Sequence, residues 1–335
     1  MKIAITGIAG FLGSHLADRM IELGHEVVGN DNLLGGDLNN LPDKAKFYNM
    51  DCNNLDGMTE MLKDCDIVYH AACVACEGLS IFSPAFIYDN TAQITMNTIT
   101  AAIRNNVKRF VYCSSMARYG TQEVVPFTED MVCKPIDPYG VAKYSSEEVI
   151  KILSNVHGIE YVIAVPHNII GPRQKYDDPF RNVVGIMINM MLQGRQPYIY
   201  GDGNQRRSFS FVNDDIYCLE KLAFDKKLHG EVINIGPDTE FVTINEVFLI
   251  IADILNFDLK PIYVKDRPQE VKLAHCSAEK ARMLLDYKKQ TSLHDGIKSM
   301  VDWIKKEGTK PFKYHLPLEI INDKCPSTWK EQLFL

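Results

Sequence analysis

Short runs of β-branched and aliphatic residues alternate with longer amphipathic patterns throughout the first half of the chain. The apolar runs have the length of strands and fall at 2–6, 26–31, 46–50, 66–72, 109–114 and 160–166. Strands that alternate with helical segments are typical of right-handed β-α-β crossovers and a parallel sheet. The pattern therefore predicts an α/β fold with a doubly wound parallel sheet.

Two helices of this half have recognisable boundaries in the sequence. In the first, Gly24 follows as a stop after apolar residues at helical spacing, which are Leu12, Leu16, Met20 and Leu23. We expect the second to begin with Ser83 as its cap and Pro84 in its first turn. Its apolar stripe predicts a core or subunit contact and comprises Tyr88, Ala92, Met96, Ile99 and Ile103.

The alternation of strands and helices fails after about Asn168. A Met-rich apolar stretch at 184–192 and a turn-rich segment at 201–204 follow, and a strand-like run at 231–235 can return to the sheet. We therefore expect two interleaved domains, the second being a smaller α/β domain. The first would contain 1–168 and about 212–238, and the second 169–211 and about 239–335.

Composition narrows the class of protein. The chain has 335 residues with 36 Lys+Arg against 43 Asp+Glu, a formal net charge of −7, and 46% hydrophobic residues, as in a soluble globular protein. An acidic chain offers no basic stripe for a phosphate backbone, so we expect no nucleic-acid partner. No apolar run approaches the ~18 residues of a bilayer span, and no signal peptide precedes the first strand. We therefore expect no membrane association and a cytoplasmic location.

The nine cysteines form an odd, scattered set, which favours reduced thiols. Only Cys73 and Cys76 have C-x-x-C spacing. A zinc site would need a second pair or suitably spaced histidines, and only His70 lies near, so we expect no metal. Buried or cleft-lining thiols are the simpler interpretation of the pair, and a metal or redox role stays open.

A glycine motif lies between the first predicted strand and the first helix. Gly7, Gly10 and Gly13 are spaced G-x-x-G-x-x-G, which permits a tight turn, close approach of a pyrophosphate, and packing of the helix on the strand. Asp31 ends the second strand, where an acidic side chain would bind the adenosine ribose, although a simple turn role stays open. The next basic residue is Lys44, so NAD is favoured over NADP.

A second candidate site follows the strand at 109–114. Tyr139 and Lys143 are spaced i and i+4, so on a helix their side chains lie on one face. A neighbouring ammonium would lower the pKa of the phenol from about 10 and make it a usable general base. Such a pair alone is most often a solvated surface pair. Ser114 and Ser115 at the strand end, together with the glycine motif upstream, favour a reaction centre.

Together with further motifs, these residues show that the chain resembles the extended short-chain dehydrogenases/reductases, and among them the nucleotide-sugar epimerases and dehydratases. The resemblance extends over nearly the whole chain. The further motifs are Tyr69-His70-Ala71-Ala72, Pro166-His167-Asn168, Gly171-Pro172-Arg173, Arg207-Ser208-Phe209 and Arg267-Pro268. The resemblance implies that the first domain is a Rossmann-type NAD-binding domain and the second a nucleotide-sugar-binding domain.

The resemblance also implies roles for individual residues. Tyr139 would be the catalytic base, Lys143 would hold the nicotinamide ribose, and Ser115 would place its hydroxyl beside the reacting sugar oxygen. The implied cofactor contacts are Gly7, Gly10, Phe11, Leu12, Gly13, Asp31, Asn32, Asp51, Cys52, Ala71, Ala72, Asn90, Ser114, Tyr139, Lys143 and Pro166. The implied substrate contacts are Ser115, Met116, Asn168, Ala274 and two arginines that clamp the diphosphate, Arg207 and Arg267.

Departures from the family's pattern reduce the number of reactions that this chain could catalyse. Related 4,6-dehydratases carry an Asp-Glu pair where this chain has Met116 and Ala117, and decarboxylases or 3,5-epimerases carry a glutamate or a cysteine at Ala117. Without these proton-transfer groups, we expect NAD-dependent 4-epimerisation of a nucleotide sugar. In the family, the position of Ala274 limits sugar size, so its small side chain predicts acceptance of UDP-N-acetylglucosamine besides UDP-glucose. Gln269 and Glu270 replace the family's usual Gly-Asp.

Other functions stay open at this point. A nucleotide-sugar 4-reductase, or another epimerase or decarboxylase of the family, is one alternative, and tightly bound NAD would favour the epimerase over the reductase. A non-catalytic NAD sensor is another, although such proteins typically lack the Tyr or the Lys. By resemblance we also expect a homodimer through helices 84–106 and 139–157. No residue sets the nucleotide base, and uridine is the family's commonest choice.

Overall fold

A seven-stranded parallel sheet forms the centre of the computed structural model, which describes all 335 residues. The strands are β1 (Lys2–Thr6), β2 (Glu26–Asp31), β3 (Lys46–Asn49), β4 (Ile67–His70), β5 (Arg109–Cys113), β6 (Glu160–Pro166), β7 (Ile169–Ile170), β8 (Tyr198–Tyr200), β9 (Arg206–Arg207), β10 (Ser210–Phe211), β11 (Val232–Ile235), β12 (Val242–Thr243), β13 (Ile262–Val264) and β14 (Leu273–Ala274). The central sheet has the order β11-β6-β5-β4-β1-β2-β3, and the shorter strands form three small sheets. The six strands predicted in the first half and the predicted return of 231–235 to the sheet are confirmed.

The order of the strands changes direction between β1 and β4. The chain builds outward through β2 and β3 on one side, and then through β5 and β6 on the other. Strands β1 and β4 are paired in parallel, in register from Ile3–Ile67 to Thr6–His70. Such a change of direction opens a crevice at the carboxyl ends of the two strands, where ligands bind in doubly wound folds. The predicted fold class is thus confirmed, and it places a binding crevice beside His70.

Helices cover both faces of the sheet. They are α1 (Phe11–Glu22), α2 (Leu55–Met61), α3 (Glu77–Ser80), α4 (Pro84–Tyr88), α5 (Ile94–Arg104), α6 (Pro138–His157), α7 (Val183–Leu192), α8 (Val212–Phe224), α9 (Ile244–Leu255), α10 (Glu279–Leu285), α11 (Leu293–Glu307) and α12 (Ser327–Lys330). One face of the sheet packs against α1, α8 and α10, and the other against α2, α5 and α6. None of the helices combines the length and the apolar character that crossing a bilayer requires.

The second helix predicted from the sequence is interrupted in the structure. Helix α4 ends at Tyr88 and α5 begins at Ile94, with a π-helical turn over Asp89–Gln93 between them. Within that turn Asn90 has φ −85° and ψ 17°, outside the helical range. Single π turns within helices frequently mark functional positions. Here the interruption brings Asn90 to the wall of the cleft described below.

The N-terminus of α4 is capped from a distant part of the chain. The Ser83 hydroxyl donates to the backbone carbonyl of Pro317 at 2.5 Å and makes no capping bond. The Glu319 carboxylate instead accepts hydrogen bonds from the backbone N–H groups of Ala85 and Phe86, at 3.0 and 2.9 Å. Ser83 and Pro84 thus occupy the predicted cap and first-turn positions, but the Ser83 side chain does not cap the helix, because a carboxylate near the C-terminus satisfies these donors and favours the positive end of the helix dipole.

The part of the chain outside the central sheet and its covering helices, called the second region below, has three mutually packed helices and only short strands. Helices α7, α9 and α11 surround a core that includes the fully buried Met187, Val247 and Ile297. The Met-rich stretch predicted at 184–192 is α7, which is buried along nearly its whole length. One of the short strands, β9, contains Arg207, and Arg267 lies in the loop between β13 and β14.

The division into two domains stays a prediction, and one stretch packs differently from it. Ala278, Ala281 and Leu285 are fully buried in the core cluster beside the central sheet. They fall within 239–335, which the sequence assigns to the second domain. A short amphipathic helix such as α10 shows which of its faces is apolar, but its pattern carries no information about which core covers that face.

Candidate active site

The carboxyl ends of the central strands and the second region enclose a cleft of about 460 Å³. Its walls contain every residue predicted for the site except Lys143 and Ala274. Residues as distant in the chain as Gly7, Tyr139 and Arg267 therefore meet around one space. The roles predicted for these residues remain hypotheses, whereas their convergence is a property of the fold.

The turn between β1 and α1 has no room for side chains. A Cβ atom at Gly13 would lie 2.1 Å from the carbonyl oxygen of Gly7, and one at Gly10 would lie 3.1 Å from the same oxygen. Gly7 has φ +70°, and a Cβ there would lie 3.0 Å from the Cα of Ala72. No side chain caps α1. Its first backbone N–H groups are therefore available to an anion brought close by the glycines.

Acidic side chains follow β2 and β3 at the same edge of the sheet. The Asp31 carboxylate accepts from the backbone N–H of Ala9 at 3.2 Å and from that of Leu33 at 2.8 Å. Burial raises the pKa of Asp31, while these N–H groups act against the rise. Asp51 accepts from the side-chain amide of Asn32 at 2.6 Å. Asp31 thus makes the turn that was the alternative interpretation, and it also lines the cleft as the ribose hypothesis requires.

Tyr139 lies in the first turn of α6. Asp137 caps this helix by accepting from the backbone N–H of Gly140 at 2.8 Å, which fixes the direction in which the first turn enters the cleft. The Tyr139 side chain is buried, and its hydroxyl is 4.0 Å from the Cys73 thiol and next to the hydroxyl of Ser115. The phenol and the serine hydroxyl are thus directed at the same part of the cleft.

Lys143 lies one helical turn after Tyr139 but beneath the cleft wall. Its ammonium donates to the backbone carbonyl of Cys113 at 2.7 Å and lies 4.9 Å from the ring centre of Tyr112. The distance from the ammonium to the ring centre of Tyr139 is 5.9 Å. The predicted i, i+4 neighbourhood is present, with the cation buried at the end of β5.

Burial raises the pKa of Tyr139 well above its ordinary value. The neighbouring Cys73 and Glu77 act in the same direction, while the Ser115 hydroxyl acts against it. The net direction is opposite to the predicted lowering, because removal of the phenol from water dominates while the Lys143 ammonium is bonded to the Cys113 carbonyl. The sequence showed the spacing of Tyr139 and Lys143 but not how deeply the two side chains are buried.

Ser114 is bound to the protein rather than directed at a ligand. Its hydroxyl donates to the fully buried carboxylate of Glu147 on α6, which forms an ion pair with Arg118 at 3.0 Å. This arrangement ties the end of β5 to α6. The predicted contact of Ser114 with the cofactor would therefore fall to its backbone.

A single carboxylate holds the two predicted clamp arginines together. Glu270 forms ion pairs of 2.8 Å with Arg207 and 2.6 Å with Arg267, whose guanidinium also lies 4.7 Å from the ring centre of Tyr200. Burial opposes ionisation of Glu270, but the two arginines hold its pKa below the usual value. Glu270 was only a departure from the family's pattern in the sequence. In the structure it brings together residues 60 positions apart.

The other predicted substrate residues differ in their access to the cleft. The Asn168 side-chain amide donates to the carbonyl of Ser208 at 2.9 Å and faces the sulfur of Met116 at 3.7 Å. Ala274 is buried in the core cluster and is paired with Arg207 between β14 and β9. It does not line the cleft. A larger residue at Ala274 would therefore act on the site through the strand that carries Arg207.

Comparison with known proteins identifies the family. Residues 3–236 match the model of the NAD-dependent epimerase/dehydratase family. The chain belongs to this family. A Methanocaldococcus jannaschii protein, named provisionally as a UDP-glucose 4-epimerase, is 36% identical over 90% of this chain and 98% of its own length.

Two solved structures of epimerases resemble this chain over nearly their whole length. UDP-glucose 4-epimerase from Thermotoga maritima, solved with UDP-glucose, is 30% identical, has a TM-score of 0.87, and covers 92% of this chain and 99% of its own. UDP-glucuronic acid 4-epimerase from Bacillus cereus, solved with UDP-glucuronic acid and NAD, is also 30% identical, with a TM-score of 0.85 and 92% and 100% coverage. The resemblance inferred from sequence motifs is therefore confirmed at the level of family and fold.

The residues around the N-terminus of α1 and the end of β2 fit NAD, the cofactor in the family's name. The glycine turn leaves space where side chains would stand, the N-terminus of α1 has no side-chain cap, and Asp31 ends β2 at the cleft. An uncapped helix N-terminus suits a pyrophosphate, and a carboxylate at the end of the second strand suits a ribose. These features are properties of this chain, independent of its relatives.

Sequence reasoning missed one segment of the cleft wall. The chain after β4 contributes residues 73–78 to the wall, among them Cys73 and Glu77. Cys76 also touches the cleft but is buried, and burial raises the pKa of its thiol to about 12. The C-x-x-C spacing drew attention to the two cysteines but not to Glu77. The rule that ligands bind beyond the carboxyl ends of parallel strands would have found it, since Glu77 follows such a strand.

Proposed function

We propose that this protein is an NAD-dependent 4-epimerase of a UDP-sugar, with UDP-glucose and UDP-galactose as its first substrates. The observation that carries the proposal is that Ser115 and Tyr139 open onto the same cleft as the arginine pair held by Glu270. The two positions after Ser115 are Met116 and Ala117, neither of which can transfer a proton. This arrangement supplies what an oxidation and re-reduction at one carbon requires.

Proton transfer at the sugar 4-hydroxyl falls to Tyr139. NAD, held by the glycine turn and Asp31, would supply reversible hydride transfer at carbon 4, so that the sugar would pass through a 4-keto form before the hydride returned to the opposite face. The Tyr139 oxygen takes the hydroxyl proton and later gives it back, while Ser115 donates a hydrogen bond to the same sugar oxygen. Because burial raises the Tyr139 pKa, its ionised form needs a nearby cation, and Lys143 is the ammonium one turn away.

The arginine pair has a different task. Arg207 and Arg267 present guanidinium groups, whose fixed donors suit the oxygens of a diphosphate. Binding through the diphosphate is equally strong for both epimers, so it holds the nucleotide while the sugar ring turns over. Glu270 keeps both arginines in position and neutralises part of their charge before a ligand arrives.

The remaining predicted residues are proposed to bind the cofactor along the other half of the cleft. The turn at Gly7, Gly10 and Gly13 with the N-terminus of α1 would hold the pyrophosphate, and Asp31 would bind the adenosine ribose. Asp51, held by Asn32, would lie at the adenine. The strands that these groups follow, β1, β2 and β3, are neighbours in the sheet in the same order, which supports this assignment.

Incubation of the purified protein with UDP-glucose, UDP-galactose and UDP-N-acetylglucosamine tests the proposal. The expected result is inversion at carbon 4 of at least one of them, read by proton NMR, without consumption of added NADH. GDP-, dTDP- and CDP-sugars in the same panel identify the base. Consumption of one NADH per product would support the 4-reductase instead. No change in any of the sugars would contradict the proposed 4-epimerase activity.

We also propose a homodimer through the predicted helices. Large apolar side chains on their outer faces are exposed, with 45% for Val141, 60% for Ile152 and 71% for Val156 on α6. Exposed apolar patches of this kind mark contacts with other proteins. Ile152→Asp should lower the mass measured by light scattering to that of a monomer, while Leu249→Asp, at an equally exposed site on α9, should not.

Location and other partners follow from the chemistry of the chain. We propose that the protein works in the cytoplasm, where its nine free cysteines would stay reduced. Its formal charge of −7 gives no general attraction for nucleic acids, which supports a nucleotide sugar as its only phosphate-bearing substrate. Cell fractionation with an antibody to the protein tests the location.

A further inference from the structure

The segment after β4 runs along the cleft from the reacting end to the diphosphate end. At its start the thiol of Cys73 is 4.0 Å from the hydroxyl of Tyr139. At its other end a Cβ atom on Gly78 would lie 3.2 Å from Nη1 of Arg267. A sugar with carbon 4 at Tyr139 and its diphosphate at the arginine pair must therefore lie beside this segment.

The whole segment lines the cleft, and its side chains alternate in how accessible they are. Val74 and Cys76 are nearly covered by the protein, whereas the side chains of Ala75 and Glu77 are accessible from the cleft. Glu77 is the only charged residue from Cys73 to Gly78. The sugar is therefore expected to meet one carboxylate on this side.

The Glu77 carboxylate has no partner within the protein. It takes part in none of the ion pairs or side-chain hydrogen bonds of the structure, in contrast to Glu270, which has two arginines, and Asp31, which has two backbone N–H groups. A charged group left unpaired in a cleft is held ready for a ligand or for solvent, since its hydrogen-bonding capacity is unused.

The charges around Glu77 belong to both ends of the cleft. Enclosure of the carboxylate within the cleft and the neighbouring Asp137 raise the pKa of Glu77 to about 7, while Arg207 and Arg267 act against the rise. In return, Glu77 contributes to the raised pKa of Tyr139. The carboxylate thus interacts with the base and with the clamp, as expected for a group placed between them.

We infer that Glu77 faces the sugar ring and selects against UDP-sugars with an anionic substituent, such as a uronic acid, in favour of neutral or amino-substituted ones. This inference rests on the function proposed above. A carboxylate accepts hydrogen bonds from hydroxyl and amino groups, whereas a second carboxylate in the same low-dielectric cleft is repelled. The Bacillus cereus relative binds UDP-glucuronic acid. The overall fold therefore does not exclude an anionic sugar, and exclusion in this chain must come from individual side chains.

The test compares UDP-glucuronic acid with UDP-glucose on the holoenzyme. Isothermal titration calorimetry gives the two Kd values, and NMR gives the two rates of inversion at carbon 4. We expect the wild type to bind UDP-glucuronic acid at least about tenfold more weakly than UDP-glucose, and Glu77→Gln to reduce this ratio by about tenfold or more. Glu77→Lys should reverse the preference. Glu123→Gln, which removes an exposed glutamate outside the cleft, should leave the ratio as it is in the wild type.

Several outcomes separate this inference from the proposed function. An unchanged ratio in both Glu77 variants, or wild-type binding of the two sugars with equal affinity, would overturn the inference. Loss of UDP-glucose turnover in Glu77→Gln with unchanged Kd would also overturn it, since Glu77 would then transfer a proton. If the wild type discriminates as expected but inverts no sugar, the inference stands and the proposed function fails.

Discussion

The two ends of the cleft are built in different ways. The end proposed to bind NAD, called the nucleotide end below, is formed mainly by backbone, in the glycine turn, the open N-terminus of α1 and the N–H groups that hold Asp31. The end proposed to bind the UDP-sugar, called the sugar end below, is formed by charged side chains from separate parts of the chain, with Arg207, Arg267 and Glu270 in one cluster and Glu77 between this cluster and Tyr139. Backbone recognition suits a constant ligand, whereas side chains can change with the sugar without altering the fold.

The largest expected effect comes from the residue where the two ends meet. Tyr139→Phe removes only the hydroxyl, so the fold and cofactor binding should persist while epimerisation falls by roughly 10²- to 10⁴-fold, the range for loss of a general acid–base. NMR measures the rate, and the absorbance of bound cofactor measures its retention. A variant that keeps more than a tenth of the wild-type rate would remove Tyr139 from the mechanism.

Gly13→Ala should weaken NAD binding at the nucleotide end and leave the sugar end unchanged. A methyl group there would lie 2.1 Å from the Gly7 carbonyl, and only the backbone could give way. Loss of backbone bonds to an anion is expected to weaken NAD binding by roughly 100-fold. Gly185→Ala is the matched control, since its methyl group would meet its nearest atom at 3.4 Å. Equal amounts of NAD in both purified variants would contradict the proposed cofactor site.

Arg267→Ala should weaken binding of the UDP-sugar at the sugar end and leave NAD binding at the nucleotide end unchanged. Loss of charge-assisted hydrogen bonds to a diphosphate is expected to raise the KM for UDP-glucose by roughly 10- to 100-fold, with bound NAD unchanged. Arg282→Ala removes an arginine paired with Asp238 outside the cleft and serves as the control. A fall in bound NAD for Arg267→Ala, or an unchanged KM, would show that the two ends are not separable in this way.

The core below the nucleotide end should make stability depend on pH. The buried His70 lies between the hydroxyls of Thr6 and Thr95, at 2.8 and 2.9 Å, and burial lowers its pKa to about 3. The unfolded chain, with an ordinary histidine pKa near 6.5, binds this proton first, so stability is lost as the pH falls below about 6.5. At pH 5 the free energy of unfolding should be about 2 kcal/mol lower than at pH 7 on account of His70.

Urea unfolding of the wild type and His70→Gln at the two pH values measures this contribution. The variant should lose the part of the pH dependence that belongs to His70 and keep the part that belongs to His167, whose pKa burial lowers to about 4. An identical pH dependence in both proteins would contradict the account of His70 as a neutral core residue.

The contrast between the two ends also explains what could be predicted from the sequence. The strands and the glycine turn were predictable because local spacing and the alternation of elements determine them, and the family motifs marked Tyr139 and Ser115. The role of Glu270 was not, because it depends on a loop that meets β9 only in the folded chain. The same holds for Glu319, which caps a helix more than 230 residues upstream.

The sequence also could not show how deeply individual side chains are buried. The spacing of Tyr139 and Lys143 predicted neighbours, but burial reversed the expected direction of the Tyr139 pKa. Ser114 is an ordinary hydroxyl at a strand end in the sequence, and the buried Glu147 that binds it lies on another element. Side-chain environments of this kind arise from long-range packing, on which local pattern carries no information.

Incubation with UDP-glucose deuterated at carbon 4 tests the central claim most directly. If the hydrogen of carbon 4 leaves and returns within one closed cleft, the UDP-galactose formed in ordinary water should retain deuterium at carbon 4, without net formation of NADH. NMR reads both the configuration and the label. UDP-galactose that carries a solvent proton at carbon 4, or a reaction that consumes reduced cofactor, would contradict the account.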